Sequence, residues 1–143
     1  MKILLTGATG YIAQRLLPVL LRNGHEVICC VRDRIRFNDK YNSPLLNVIE
    51  ADFLKKETLT VIPKDIDAAY YLIHSMSLSK GDFEILESIS AQNFKDIIQQ
   101  TSARQVIYLS GIVNEARLSK HLSSRKNVEA ILTGGSYSLT TLR

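Results

Sequence analysis

The chain has 143 residues, 45% of them hydrophobic and 22% charged, with a formal net charge of +4. That is one domain of ordinary globular composition, long enough to bury a core. No apolar run approaches the ~20 residues of a membrane helix, and Lys2-Ile3-Leu4-Leu5 is broken at once by Thr6 and Gly7, too short for a signal peptide.

A cytoplasmic address and no membrane partner are therefore expected. A pI near 9.1 suits an anionic ligand without identifying one. Basic residues gather in 32–40 and 117–126, but without the aromatic interleaving or recognition helix that nucleic-acid binding uses, so no nucleic-acid partner is expected. Cys29 and Cys30 are neighbours in a strand-like run and should point to opposite faces of a sheet, which argues against a bridge between them. No Cys/His spacing resembles a zinc site, and no metal is expected.

Strand-like and helix-like periods alternate along the whole chain. Ile3-Leu4-Leu5 is a short apolar run, and Gly7-Ala8-Thr9-Gly10 a turn. A helix is expected from about Tyr11 to Arg22, with Leu16, Leu17, Leu20 and Leu21 on its apolar side; Pro18 should bend it or cost it hydrogen bonding, and Asn23-Gly24 should stop it. Glu26 to Val31 reads as a buried parallel strand, Leu46 to Glu50 as a third and Ala68 to Ile73 as a fourth. Asp82 to Thr101 is the clearest helix: Phe83, Leu86, Phe94, Ile97 and Ile98 share a face, with Glu84, Glu87, Lys95 and Gln99 outside that stripe or at its edge. Gln105 to Leu109, Lys120 to Leu132 and Tyr137 to Leu142 complete the series as strand, helix and strand.

This alternation predicts an α/β fold, a doubly wound parallel sheet with strand order 3-2-1-4-5-6. Ligands bind such sheets beyond the carboxyl ends of the strands, where the winding reverses. Thr6-Gly7-Ala8-Thr9-Gly10-Tyr11-Ile12-Ala13 sits at that place, directly after the first strand and opening the first helix. Gly7 permits a sharp turn, Gly10 lets backbone approach a pyrophosphate, and Ala13 lets the helix pack closely on the sheet. The N–H groups and dipole of the first helical turn would face the anion. The alternative is a plain tight turn.

TGATGYIA resembles the short-chain dehydrogenase/reductase superfamily in its extended and atypical branches. Tyr70-Tyr71-Leu72-Ile73-His74-Ser75-Met76, Asp82-Phe83-Glu84, Asn93-Phe94, Ile107-Tyr108-Leu109-Ser110-Gly111, His121-Leu122-Ser123-Ser124-Arg125 and Thr141-Leu142-Arg143 narrow the resemblance to the atypical, NmrA-like NAD(P)H-binding proteins, within them to a bacterial subgroup with a C-terminal domain of unknown function. The resemblance covers the whole chain and implies a Rossmann domain over 1–143 that binds a dinucleotide cofactor.

By that resemblance Gly7, Thr9, Gly10, Tyr11 and Ile12 cradle the cofactor, Leu72, Ile73 and His74 line its ribose and nicotinamide side, and Asp52-Phe53 frames the adenine. A helix N-cap is the rival reading for Asp52. In extended relatives an acid holding the ribose 2′-hydroxyl falls seven residues beyond the counterpart of Gly24, which is Val31 here; Arg32 follows, with Arg34 close behind. A guanidinium grips phosphate in a bidentate way, so NADP(H) is favoured over NAD(H), the rival being a solvated Arg32 paired with Asp33.

Ser110 falls where the superfamily places its catalytic serine. The tyrosine and lysine four residues apart on the next helix are replaced here by His121 and Arg125, a departure that puts standard tyrosine–lysine chemistry in doubt. Histidine can relay a proton near neutral pH; arginine, with a pKa above about 12, cannot. The rival is a basic exposed helix face. Asn93 is expected to hydrogen-bond backbone beside the fourth strand and so support the floor of the site.

Two functions stay open: an NADP(H)-dependent oxidoreductase (or a relative of sugar-nucleotide epimerases and dehydratases) acting on an unknown small-molecule substrate, and a non-catalytic NmrA-like dinucleotide sensor. Relatives continue past the sixth strand with residues that build the substrate pocket. The substrate-binding part is therefore expected to be missing from 1–143, leaving an apolar surface near the C-terminus that invites self-association into a homodimer.

Overall fold

The computed structural model describes residues 1–37, 41–74, 82–111 and 119–143. Ser75 and Met76 of the motif after the fourth strand, and residues 38–40 and 117–118 of the two basic stretches, lie outside the described residues.

Six strands, β1 (Lys2–Leu5), β2 (Glu26–Val31), β3 (Leu46–Glu50), β4 (Ala68–Tyr71), β5 (Gln105–Leu109) and β6 (Ser138–Leu142), form one parallel sheet in the order β3-β2-β1-β4-β5-β6. Three helices make the crossovers: α1 (Tyr11–Arg22) from β1 to β2, α2 (Phe83–Ile98) from β4 to β5, and α3 (Lys120–Thr133) from β5 to β6. This is the doubly wound Rossmann topology, and its winding reverses between β1 and β4.

Alternation along the strands divides the core in two. Ile3, Leu5, Val27, Cys29 and Val31 face α1, against Ala13, Leu17 and Leu20. Leu4, Ile28, Cys30, Tyr71 and Tyr108 face the other layer, against Phe94 and Ile98 of α2 and Val128 and Leu132 of α3. Each of these large side chains stabilises the fold by about 1.5–3 kcal/mol when fully buried, so both layers press the sheet firmly under the turn that follows β1. Cys29 and Cys30 occupy opposite faces, both buried.

α1 runs unbroken through Pro18. The missing N–H forgoes one helical hydrogen bond, which the burial of Leu17 and Leu20 offsets. At its end the Asn23 backbone N–H and side-chain Nδ2 both donate to the Val19 carbonyl, at 3.2 and 2.8 Å, and Gly24 takes φ +77.

Three expectations change. β4 ends at Tyr71 rather than Ile73, because Thr6 intervenes: its hydroxyl donates to the Tyr70 carbonyl at 2.8 Å and accepts from the Leu72 N–H at 3.2 Å, turning the chain out of the ladder. α2 closes at Ile98, where Gln100 and Thr101 form a turn back onto Ile97 and Ile98. Glu87, expected outside the apolar stripe or at its edge, is buried with Ser90, Ala91 and Phe94, and its carboxylate accepts a short hydrogen bond from the Ser124 hydroxyl of α3. The helix is rotated so that its buried stripe contains the acid, which the facing hydroxyl satisfies.

Candidate functional site

A cleft of about 870 Å³, its open mouth included, lies beyond the carboxyl ends of β1, β2 and β4. Gly7, Thr9 and Gly10 form its floor. Arg32, Asp52 and Phe53 line it on the β2 and β3 side, and Leu72, Ile73 and His74 on the β4 side. This is the switch-point crevice where doubly wound sheets take their ligands.

The floor is built by two glycines. Gly7 has φ +62, and a Cβ there would stand 2.5 Å from the Leu72 carbonyl oxygen and 2.8 Å from its carbon. Left-handed backbone and the passage of the β4 exit over this residue thus both require glycine. Gly10 caps α1 in extended conformation, its N–H donating to the Gly7 carbonyl at 2.9 Å. The helical ladder starts with Gln14 donating to Gly10 at 3.0 Å, so among the described residues no backbone carbonyl accepts from the N–H groups of Tyr11, Ile12 or Ala13. No side chain caps this end and no acid stands in its first turn. The arrangement suits an anion. The side chains of Tyr11 and Ile12 do not line the cleft: Tyr11 is 71% exposed under the Arg15 guanidinium, and Ile12 is 47% exposed.

On the β2 side the arginines separate. The Arg34 guanidinium donates to the Val48 carbonyl at 3.0 Å, and the Arg34 backbone N–H to the Glu50 carboxylate at 3.1 Å, which ties it to β3. Asp33 accepts from the Ile35 N–H at 2.9 Å and pairs with Arg36 at 3.3 Å, not with Arg32. Arg32 is exposed and lines the cleft, with no ion pair among the described residues. Asp52 Oδ1 accepts from the Leu54 N–H at 2.9 Å, an Asx turn; the following 3₁₀ turn, Lys56–Val61, has Lys55 at its N-cap, so the helix-cap reading of Asp52 is replaced by a tighter local one. Phe53 is buried against Phe94, with ring centroids 5.7 Å apart.

Asn93 Nδ2 donates to the Phe53 carbonyl at 2.7 Å. The backbone partner was expected beside β4; it lies instead in the turn after β3, because α2 crosses over that turn. Asn93 therefore holds the Asp52–Phe53 wall.

The β5 side carries the remaining candidates. Ser110 is buried, its N–H donating to the Leu142 carbonyl at 2.8 Å and its hydroxyl lying beside the Tyr108 phenol. Tyr108, beside it, donates to the Arg125 carbonyl at 3.2 Å, and burial pushes its phenol up to about 12. The Arg125 side chain covers Gly111, where a Cβ would lie 3.4 Å from Cδ. His121, exposed on α3, stacks on Phe83 with centroids 4.8 Å apart. His74 is held below the ordinary imidazole value, first by desolvation and then by the Arg125 charge, with Glu87 opposing. Ser110, His121 and Arg125 do not line the cleft; they stand at the end of β5 and on α3, and the charge of Arg125 reaches His74 on the cleft wall.

Several wall residues carried no motif. Cys30 lines the cleft as a thiol pushed up to about 12, chiefly by burial, and Ser90 reaches it from α2. Only their place on a face, two strand positions from Ile28 and one turn from Phe94, pointed there.

A profile of the NAD(P)H-binding family matches residues 7–140. No curated protein matches the sequence. Among solved structures the chain is similar to a Staphylococcus aureus nucleoside-diphosphate-sugar epimerase, with TM-score 0.80 and 17% identity over 99% of this chain and 49% of that one. A Bacillus cereus UDP-glucuronic acid 4-epimerase in complex with NAD gives 0.80 and 19% identity, covering 100% and 55%. The yeast methylglyoxal/isovaleraldehyde reductase complexed with NADPH gives 0.77 and 16% identity, covering 99% and 53%. At such identities the likeness establishes the fold alone, and the chain spans about half the length of these structures. Strand order, glycine turn and a family match over nearly all its residues converge on one assignment: the chain belongs to the NAD(P)H-binding family.

Proposed function

We propose that this chain is the cofactor-binding domain of an atypical, NmrA-like short-chain dehydrogenase/reductase oxidoreductase that works in the cytoplasm on a small carbonyl or alcohol and prefers NADP(H) to NAD(H). The cofactor's fit is supported by the glycine turn, where Gly7 leaves no room for a Cβ under the Leu72 carbonyl, and by three first-turn N–H groups of α1 without backbone acceptors among the described residues. The observation that carries the preference is Arg32, without an ion pair among the described residues at the cleft while Arg34 and Asp33 are engaged elsewhere. A guanidinium there has a 2′-phosphate to grip and little to hold on an unphosphorylated ribose. Asp52 and the backbone after it face the adenine, and Leu72, Ile73 and His74 the nicotinamide ribose.

When bound, the dinucleotide supplies or accepts hydride. Ser110 offers its hydroxyl to the substrate oxygen, His121 carries the proton, and Arg125, always charged, binds rather than shuttles. Fluorescence titration with NADPH and NADH tests the preference. Arg32→Gln should weaken NADPH binding about tenfold or more and leave NADH nearly unchanged; equal losses refute the assignment.

A second reading, a dinucleotide sensor without turnover, is favoured by His121 and Arg125 standing where relatives carry tyrosine and lysine, and by the His121 ring being stacked on Phe83. NADPH oxidation screened against carbonyl compounds separates the two. Turnover that Ser110→Ala or His121→Ala removes excludes the sensor; tight NADPH binding with no turnover, in a protein that also carries the substrate-binding part, supports it.

A further inference from the structure

On its α2 side the cleft wall carries a hydroxyl that the chain itself leaves unused. Ser90 lines the cleft at 3% exposure, and among the described residues its Oγ makes no hydrogen bond. A serine inside a helix can fold its hydroxyl back on the carbonyl four residues earlier, as Ser88 does on Glu84 at 2.8 Å. Ser90 does not. Its oxygen keeps an edge open to solvent, unlike the enclosed and equally unpartnered phenol oxygen of Tyr137, and the cleft is what that edge meets.

Packing fixes which part of the cleft this is. Asn93 and Phe94, one turn further along α2, hold the turn after β3: Asn93 through the Phe53 carbonyl at 2.7 Å, Phe94 through the Phe53 ring at 5.7 Å between centroids. α2 follows the carboxyl end of β4 and runs back along the sheet, so Ser90 stands one turn, about 5 Å, nearer the mouth of the cleft than Asn93. The other polar side chains of this wall are engaged. Asp52 Oδ1 accepts from the Leu54 N–H at 2.9 Å, and the Cys30 Sγ lies 3.8 Å from the Ala51 carbonyl, a thiol that burial pushes up to about 12. A hydroxyl withdrawn from water without a partner costs free energy that a ligand atom would recover.

Resting on the cofactor reading above, we propose that Ser90 is a further cofactor-binding residue, supplied by α2, whose hydroxyl hydrogen-bonds the adenosine half of the dinucleotide beside Phe53. A serine hydroxyl both donates and accepts, so it can pair with either kind of polar atom there.

Isothermal titration follows three ligands: NADPH; ADP, the adenosine half with its diphosphate; and reduced nicotinamide mononucleotide, the other half. Ser90→Ala should bind NADPH and ADP about three- to tenfold more weakly, by the same factor, and leave the mononucleotide unaffected. Its urea midpoint should hold or rise, because in the free chain the hydroxyl has no partner to lose and alanine is the better helix former. Ser90→Cys fills the same space with a weak donor and should bind no better than Ser90→Ala. Three results overturn the proposal: a loss for NADPH that ADP does not share, which moves the contact to the nicotinamide half; full binding in Ser90→Cys, which makes the loss one of packing; and a lowered urea midpoint in Ser90→Ala, which gives the hydroxyl a structural partner. NADPH binding unchanged in Ser90→Ala also overturns it and leaves the cofactor reading standing. An unsubstituted chain that binds neither NADPH nor NADH removes both.

Discussion

Two glycines with positive φ make a matched pair for testing what the cleft floor depends on. Gly7 has φ +62 and Gly24 φ +77, so alanine at either must accept left-handed backbone, at roughly 1–2 kcal/mol. Their surroundings differ. A Cβ at Gly24 meets nothing within 4 Å, whereas at Gly7 it would press on the Leu72 carbonyl at 2.5 Å, backbone that has no rotamer to yield. Overpacking of that kind adds about 1–3 kcal/mol. Gly24→Ala should therefore cost about 1–2 kcal/mol and Gly7→Ala about 2–5 kcal/mol. In a domain of this size each kcal/mol lowers Tm by roughly 2–4 °C.

Urea unfolding gives both values, and NADPH fluorescence gives the binding side. Gly24→Ala should bind NADPH as before. Gly7→Ala, by pushing Leu72 away and re-aiming the first-turn amides of Tyr11 and Ile12, should lose most of its affinity for NADPH and NADH alike. Equal destabilisation of the two variants would refute the close approach of the β4 exit, and retained affinity in Gly7→Ala would refute the turn as the cradle.

Asn93→Ala removes the 2.7 Å hydrogen bond to Phe53 that holds the Asp52 wall; it should cost about 1–2 kcal/mol in urea unfolding and weaken NADPH severalfold, and a variant with neither effect would mean that wall stands by itself. His74, exposed at the rim of the cleft, should make stability fall slightly in mild acid. Its folded-state pKa lies below the ordinary 6.5, so as pH drops through about 6.5 the unfolded chain takes up the proton first, and stability declines until the folded-state value is reached. His74→Asn should flatten that part of the profile of urea midpoint against pH. An unaltered slope would show that another group is responsible.

Local order was largely legible in the residues. Apolar runs of strand length, helical periods and the punctuation at Asn23-Gly24 depend on neighbours in the chain, and so does the strand–turn–helix setting of Gly7 and Gly10. Glu87 illustrates where such reading stops. Its charge argued for the solvent side, yet Ser90-Ala91 and Phe94, one and two turns on, mark the buried stripe that includes it. Ser124, 37 positions later, meets the buried carboxylate there. The Asn93 amide likewise needed a backbone acceptor, but its choice of Phe53 follows from where α2 crosses.

The amino-acid sequence by itself settled the α/β class, the strand order and the position of the anion-ready turn, because periodicity and glycine placement act over a few residues. The tertiary structure decided which of two nearby arginines is tied to β3, where β4 leaves the sheet, and which backbone Asn93 holds. Those outcomes turn on contacts between segments tens of residues apart, through carbonyls and carboxylates whose directions exist only once the sheet has closed around them.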